Sequence, residues 1–229
     1  MGKLYNLPKL AWHGSFVLYK MRKLPKLRLA GVDGCRRGWV VATEVGATVV
    51  ESFAEIVAER FDLVLIDIPI GLLDEGRRRC DMEARALLGL RKSSVFPAPS
   101  RSLLAQSRYA GQCSVQLWNI LAKIREVDTL MTPRLQQRVR EGHPECSFAL
   151  MKGAPLLHAK KTRPGELERR RLLSTRFDHI SDLPGAARDD LLDAHALLWS
   201  AERAARGEAH RLGDPDERDP HRLRCEIIA

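Results

Sequence analysis

RLAGVDGCRRGWVVATEVGATVVESF, Arg28–Phe53, decides the fold. RLAGVDG reads as a buried strand that ends in Gly and Asp. RGWVVATEV and ATVVESF are β-branched runs separated by a short turn at Gly46, so the three segments form a hairpin meander. FAEIVAERF follows, with Phe53, Ile56, Val57 and Phe61 at helical spacing. Next comes DLVLIDIPIG, in which Leu63–Ile66 is a continuous apolar run, as in a strand buried on both faces. Meander, helix and buried strand make an α/β arrangement.

Beyond this frame the pattern turns helical. Arg77–Leu88 is a charged helix, and the Pro-rich SVFPAPSR loop separates it from helices over Arg101–Ala110 and Val115–Thr129. LQQRVREGHPECSF reads as a short strand ending at His143-Pro144, which places Glu145 just after a strand. Lys160–Arg176 reads as an exposed helix, and its Arg169–Arg171 run as a solvated basic face. Leu183–Ala205 is a long helix, LRCEIIA a final edge strand, and GDPDERDPHR a loop to which no function attaches. There is no internal repeat.

With 229 residues, 45% of them hydrophobic, the chain is long enough for a sizeable core. No stretch approaches the ~20 unbroken apolar residues that span a bilayer, and no signal-peptide pattern opens the chain. A cytoplasmic location is therefore expected, and a membrane partner is not. Five scattered cysteines without a CxxC argue against a disulfide framework and a zinc cluster, and read as reduced, small buried hydrophobes. The net charge of +9 is concentrated at one end. Residues 1–30 hold seven basic residues and no acid, which leaves 31 basic against 29 acidic residues beyond them. Residues 1–27 thus read as a basic extension, either disordered or the product of an upstream start with Met21 opening a shorter chain, and the alternative is a phosphate-binding tail. Residues 28–229 read as one domain.

Acids stand where the pattern calls for core or strand ends: Asp33 in GVDG, Asp67 in LIDIP, Glu145 in HPE, and Asp190 and Asp193 on the late helix. At ~100° per residue, Leu191, Ala194, Leu197, Leu198 and Ala201 share one face of that helix. Asp190 falls inside the face and Asp193 at its edge, so the two point together at whatever the face covers. His195 falls on the opposite side, toward solvent. Clustered carboxylates repel one another, and a divalent cation such as Mg²⁺ relieves the repulsion with the oxygen ligands it prefers. Two such ions clamp the attacking and leaving oxygens of a phosphodiester. Each acid also has a structural reading: Asp189 or Asp190 as a helix cap, Asp33 as a turn residue, Asp67 as the partner of an arginine.

GVDGCRRGWVVA, IDIPIGL, RRRCDMEARALLGLRKSSVFPAPSR, EVDTLM, REGHPECSF and DDLLDAHALLW resemble, in this order, the motifs of the DUF429 family of predicted RNase H-like nucleases, from about Gly31 to about Ala204. The resemblance implies a ribonuclease H-like fold, a mixed five-stranded sheet of three antiparallel strands and then two parallel ones, flanked by helices. It also implies a RuvC-like acidic site at Asp33, Asp67, Glu145, Asp190 and Asp193, with Mg²⁺ or Mn²⁺ as cofactor. Arg37 stands where the family commonly has Gly, and the first thirty residues have no counterpart.

The expected activity is metal-dependent hydrolysis of nucleic acid, DNA or RNA. Asp33 is expected to bridge two ions, with Asp67 and Glu145 on one and Asp190 and Asp193 on the other. Arg37, Arg79, Arg85, Ser93, Ser94, Arg101 and Lys160 are the expected contacts to substrate phosphate. A homodimer is carried by analogy with junction-cutting relatives of the fold. Two alternatives are an ATP-binding phosphotransfer protein of the actin-like class, which shares the meander and an Asp-Gly turn, and a non-catalytic nucleic-acid-binding protein that keeps the fold.

Overall fold

A computed structural model describes residues 26–111 and 113–229. The expected basic extension, residues 1–27, falls almost wholly outside them. The meander forms as the β-branched runs require, with β1 Leu29–Cys35, β2 Gly38–Thr43 and β3 Gly46–Val50. Two-residue turns join them, and Gly38 and Gly46 close these turns at φ 138° and 139°, where a side chain would be strained. β4, Leu63–Ile66, lies parallel to β1, and β5, Val139–Glu141, parallel to β4. The order β3-β2-β1-β4-β5, three antiparallel strands and then two parallel ones, is the mixed sheet that the resemblance implies.

Alternation along the strands feeds two cores. Val32, Trp39, Val41, Val64 and Ile66 face α1 (Phe53–Ala58) and α4 (Val115–Leu130). Ser52 starts α1 with a capping box, its backbone amide donating to Glu55 at 2.9 Å. On the other face, Val40, Ala42 and Leu65 meet α7, Arg188–Ala205. The approach of α7 is closest at Gly31, where a Cβ would stand 2.1 Å from the Ala194 carbonyl oxygen and the Leu198 amide nitrogen. Outside α7 lie α5 (Pro144–Lys152) and α6 (Arg163–Leu173), whose Phe148 and Leu173 close over Leu192 and Ala196.

That outer layer corrects several expectations. His195 is 5% exposed and stands edge-on to Phe177 with ring centroids 5.2 Å apart, its Nδ1 2.8 Å from the Leu191 carbonyl. A helical wheel assumes one buried face, whereas α7 is covered on both sides. Arg169, read as part of a solvated face, is 1% exposed, while Arg170 and Arg171 are exposed as expected. Glu145 comes shortly after β5, as expected, but on a helix. Pro144, which needs no amide partner at a helix start, opens α5, and Glu145 sits in its first turn. The helix at Arg101 stops at Leu104 (α3), and α7 begins at Arg188 instead of Leu183. α2 spans Arg79–Leu88. The C-terminal strand exists as β7, Ile227–Ile228, paired with β6, Arg211–Leu212, and Ile228 bridges to Gly142 beside β5. All five cysteines are free, and four are buried. Cys113 is half-exposed. Among the described residues no helix is long and apolar enough to cross a membrane.

Candidate metal centre

The parallel register builds the centre. Val32 of β1 pairs with Ile66 of β4, and the Asp67 amide donates to the Val32 carbonyl at 2.9 Å. Asp33 and Asp67 are therefore neighbours at the carboxyl ends of adjacent parallel strands, where open α/β sheets hold their ligands. Asp33 also shares a strand face with Gly31, two residues back, and α7 lies on that face. Asp193 and Asp190 of α7 are brought to the same place. Asp193 is the deeper of the two, 3% exposed, and Asp190 is half-buried with one carboxylate oxygen accepting the Ala187 amide at 3.1 Å. The capping role open to Asp190 in the sequence is thus one it performs.

The electrostatics follow from this crowding. Burial first, then the charges of Asp67 and Asp193, hold the Asp33 carboxyl well above the usual carboxylate range. Burial raises Asp67 and Asp190 too, and pushes Asp193 up to about 6. Cations offset part of this charge, Lys160 foremost. The Lys160 ammonium donates to Asp193 at 2.8 Å and lies 3.8 Å from Asp189, and the charges of Asp33 and Asp67 also act on it. Among the described residues, the Asp33 side chain accepts one hydrogen bond, from the Gly34 amide at 2.8 Å. Among the described residues none donates to the Asp67 side chain.

These groups fit a divalent cation. They are hard oxygen donors with lone pairs to spare, and their unbalanced negative charge is what such an ion relieves. The set is looser than a closed site. Among the described residues, the group whose ligand atoms all lie within 4.8 Å of one another is Asp128, Asp219 and His221. There the Arg101 guanidinium already supplies the charge, donating to Asp128 at 2.8 and 3.1 Å and to Asp219.

Glu145 is held by two arginines. Its oxygens accept from Arg169 at 2.5 Å and Arg91 at 3.2 Å. Of the expected phosphate contacts, Lys160 is the one paired with an acid of the cluster. Arg37 is exposed and lies against Gly185. Arg79 pairs with Glu83 at 2.8 Å. Arg85 donates to the carbonyls of Lys92 and Val95 at 2.9 and 2.6 Å and so pins the Pro-rich loop. Ser93 and Ser94 end the 3₁₀ turn Gly89–Ser94 that enters that loop, and Arg101 is held between its two aspartates.

Two features escaped the sequence. His143 follows β5 beside Asp67, with its Nδ1 buried and without a hydrogen-bond partner among the described residues. Burial opposes a charge on its ring, but Cys146, Asp67 and Glu145 outweigh burial and raise its pKa. The second is a buried clamp. Arg78 donates to Glu141 at 2.7 and 2.8 Å, to Asp81 at 2.5 and 3.2 Å, and to the Ile70 carbonyl at 3.1 Å. Glu141 accepts the Ile70 amide at 2.7 Å, and Asp81 the Ala98 amide at 2.9 Å. The segment after Asp67, the end of β5, α2 and the Pro-rich loop are thereby tied to one guanidinium. A usable signal existed: Glu141 stands in a strand that points into core, and buried acids require a cation.

Neither the curated proteins nor the solved structures contain a match to this chain. One family model does match, that described as a protein of unknown function, DUF429, over residues 31–218. The matched span takes in Asp33, Asp67, Asp190, Asp193, Lys160 and the Arg78 clamp, and the chain belongs to the DUF429 family.

Proposed function

We propose that the protein is a Mg²⁺- or Mn²⁺-dependent nuclease that hydrolyses phosphodiester bonds of a nucleic acid, in the cytoplasm. The observation that carries the proposal is the convergence of Asp33, Asp67, Asp190 and Asp193 at the carboxyl ends of β1 and β4 under the head of α7, with carboxyl pKa values raised by burial and, at Asp33 and Asp193, by neighbouring carboxylates of the set. Carboxylates gathered in a partly buried place favour a cation over a neutral substrate.

In this mechanism the four aspartates hold the ion or ions. A bound ion supplies Lewis acidity to the phosphoryl group and charge stabilisation to its reacting oxygens. The chain's own groups do the positioning. Lys160, half-exposed and reaching the cluster from the segment before α6, neutralises Asp193 and presents its ammonium to a non-bridging phosphate oxygen. His143, whose ring charge is favoured by Asp67 and Glu145, adds positive charge at the edge of the centre. Glu145 enters as the anchor of Arg169 and Arg91, not as a ligand.

Calorimetric titration of Mn²⁺ into the wild type and into Asp33→Asn/Asp193→Asn tests the centre, followed by incubation with labelled single- and double-stranded DNA and RNA. Saturable binding and cleavage in the wild type, both lost in the variant, are expected. Equal titrations for the two proteins would show that the aspartates are caps and ion-pair partners, and the nuclease proposal would fall.

A further inference from the structure

A cavity of about 640 Å³ opens beside the aspartates, and Lys160 and Asp190 line it together with Lys161, Arg163, Arg169 and Arg188. Two helices begin at its wall. α6 starts after Thr162, whose hydroxyl accepts the Gly165 amide at 3.2 Å. α7 starts after Ala187, a residue with no side-chain acceptor to cap its amides. Both amino ends bring partial positive charge to the same space.

Following the ion pairs shows which charges are committed. Glu166 is shared by Arg170 and Arg188, and Arg188 also holds Asp182. Asp189 lies against Lys160, and Asp190 accepts the Ala187 amide. Lys161 and Arg163 have neither an ion pair nor a hydrogen-bonded side-chain partner among the described residues, and both are exposed. Arg169 is a separate observation. It is 1% exposed, its Nη atoms donate to Glu145, Gly165 and His158, and its buried Nε has no partner among the described residues. A buried guanidinium with an unused donor, two uncommitted cations and two helix amino ends describe an anion site. Aromatic rings are missing from the cavity lining, so it offers no platform on which a base could stack.

We infer that this cavity binds the phosphate of the nucleotide next to the scissile linkage, as a subsite that reads backbone and not base. The inference rests on the nuclease proposal for the identity of the anion as a nucleic-acid strand. Contact to phosphate positions a strand without sequence preference, so the subsite would set the register of the strand over the aspartates.

The test is Lys161→Ala/Arg163→Ala in the full chain. Both side chains are exposed and unpaired, so the variant is expected to unfold at the wild-type temperature. Anisotropy of a fluorescent single-stranded oligonucleotide, titrated in Ca²⁺ at several salt concentrations, reads the subsite. Removing two phosphate contacts is expected to weaken binding roughly ten-fold at low salt and to flatten the slope of log K against log salt by about 1.4. Unchanged affinity and slope would overturn the inference, as would a wild type that does not bind the oligonucleotide. Mn²⁺ calorimetry on the same two proteins separates this outcome from the nuclease proposal. If the wild type takes up no Mn²⁺ while the double variant still loses oligonucleotide affinity, the phosphate subsite stands and the nuclease proposal falls.

Discussion

Asp33 carries electrostatic strain, and that strain has a sign. Its folded pKa lies well above the value of an unfolded aspartate because burial and the neighbouring Asp67 and Asp193 disfavour the charge. The native state therefore holds the proton more tightly than the unfolded chain, and stability drains away as pH rises from the unfolded pKa through the folded one. Asp33→Asn removes the strain. In metal-free buffer the variant is expected to melt above the wild type at pH 7.5, and the gap is expected to close as pH falls toward about 4. Differential scanning fluorimetry across that range checks it, and a variant that melts lower at neutral pH would show that the Lys160 charge already satisfies the cluster. His195 teaches the complementary lesson. It has the look of a surface residue on a wheel, yet the covering layer of α5, α6 and Phe177 makes it an interior one.

At the scale of elements, the positions of α2 and α7 are set by contacts of opposite kind. The Arg78 clamp is polar and buried, and removing one partner of such a pair leaves an uncompensated charge at a cost of about 3–5 kcal/mol. Glu141→Gln is thus expected to lower the melting temperature by about 6–20 °C in a chain of this length. A loss within 2 °C would mean that Asp81 alone satisfies the guanidinium. The seat of α7 on β1 is steric. At Gly31 any side chain meets helix backbone, which cannot swing aside as a flexible side chain does. Gly31→Ala should cost about 1–3 kcal/mol or more by overpacking, and should weaken Mn²⁺ binding because Asp193 backs away from Asp33. Calorimetry that finds full Mn²⁺ affinity in a folded Gly31→Ala protein would uncouple the two. The sequence made the sheet legible because alternation and continuous apolar runs are local signals. The clamp was hidden because Arg78 and Glu141 are separated by 63 residues and meet only through the fold.

For the whole molecule, the centre and the stability of the fold are linked. An ion that binds the native state alone stabilises it by about 2.7 kcal/mol at a hundred times its dissociation constant, or about 5–10 °C here. Mn²⁺ is accordingly expected to raise the melting temperature by that amount and EDTA to reverse it, with Asp33→Asn/Asp193→Asn insensitive to both. Motif spacing made the acids visible, and strand register explains why Asp33 and Asp67 are neighbours. What the sequence could not convey was the division of labour among charges: Glu145 taken by two arginines, Arg101 by two aspartates, Lys160 paired with Asp193 of the cluster. Such assignments depend on which cation arrives nearest in three dimensions.

The seat of Gly31 under Ala194 and Leu198 also fixes an order of events during synthesis. β1 and β4, with Asp33 and Asp67, leave the ribosome early, while Asp193 follows Asp67 by 126 residues. At about 5–20 residues per second that interval is roughly 6–25 s. Throughout it, one face of β1 has no helix to cover it and the aspartates lack half their company. A nascent chain therefore cannot gather its four aspartates until α7, the last long helix to emerge, has been made.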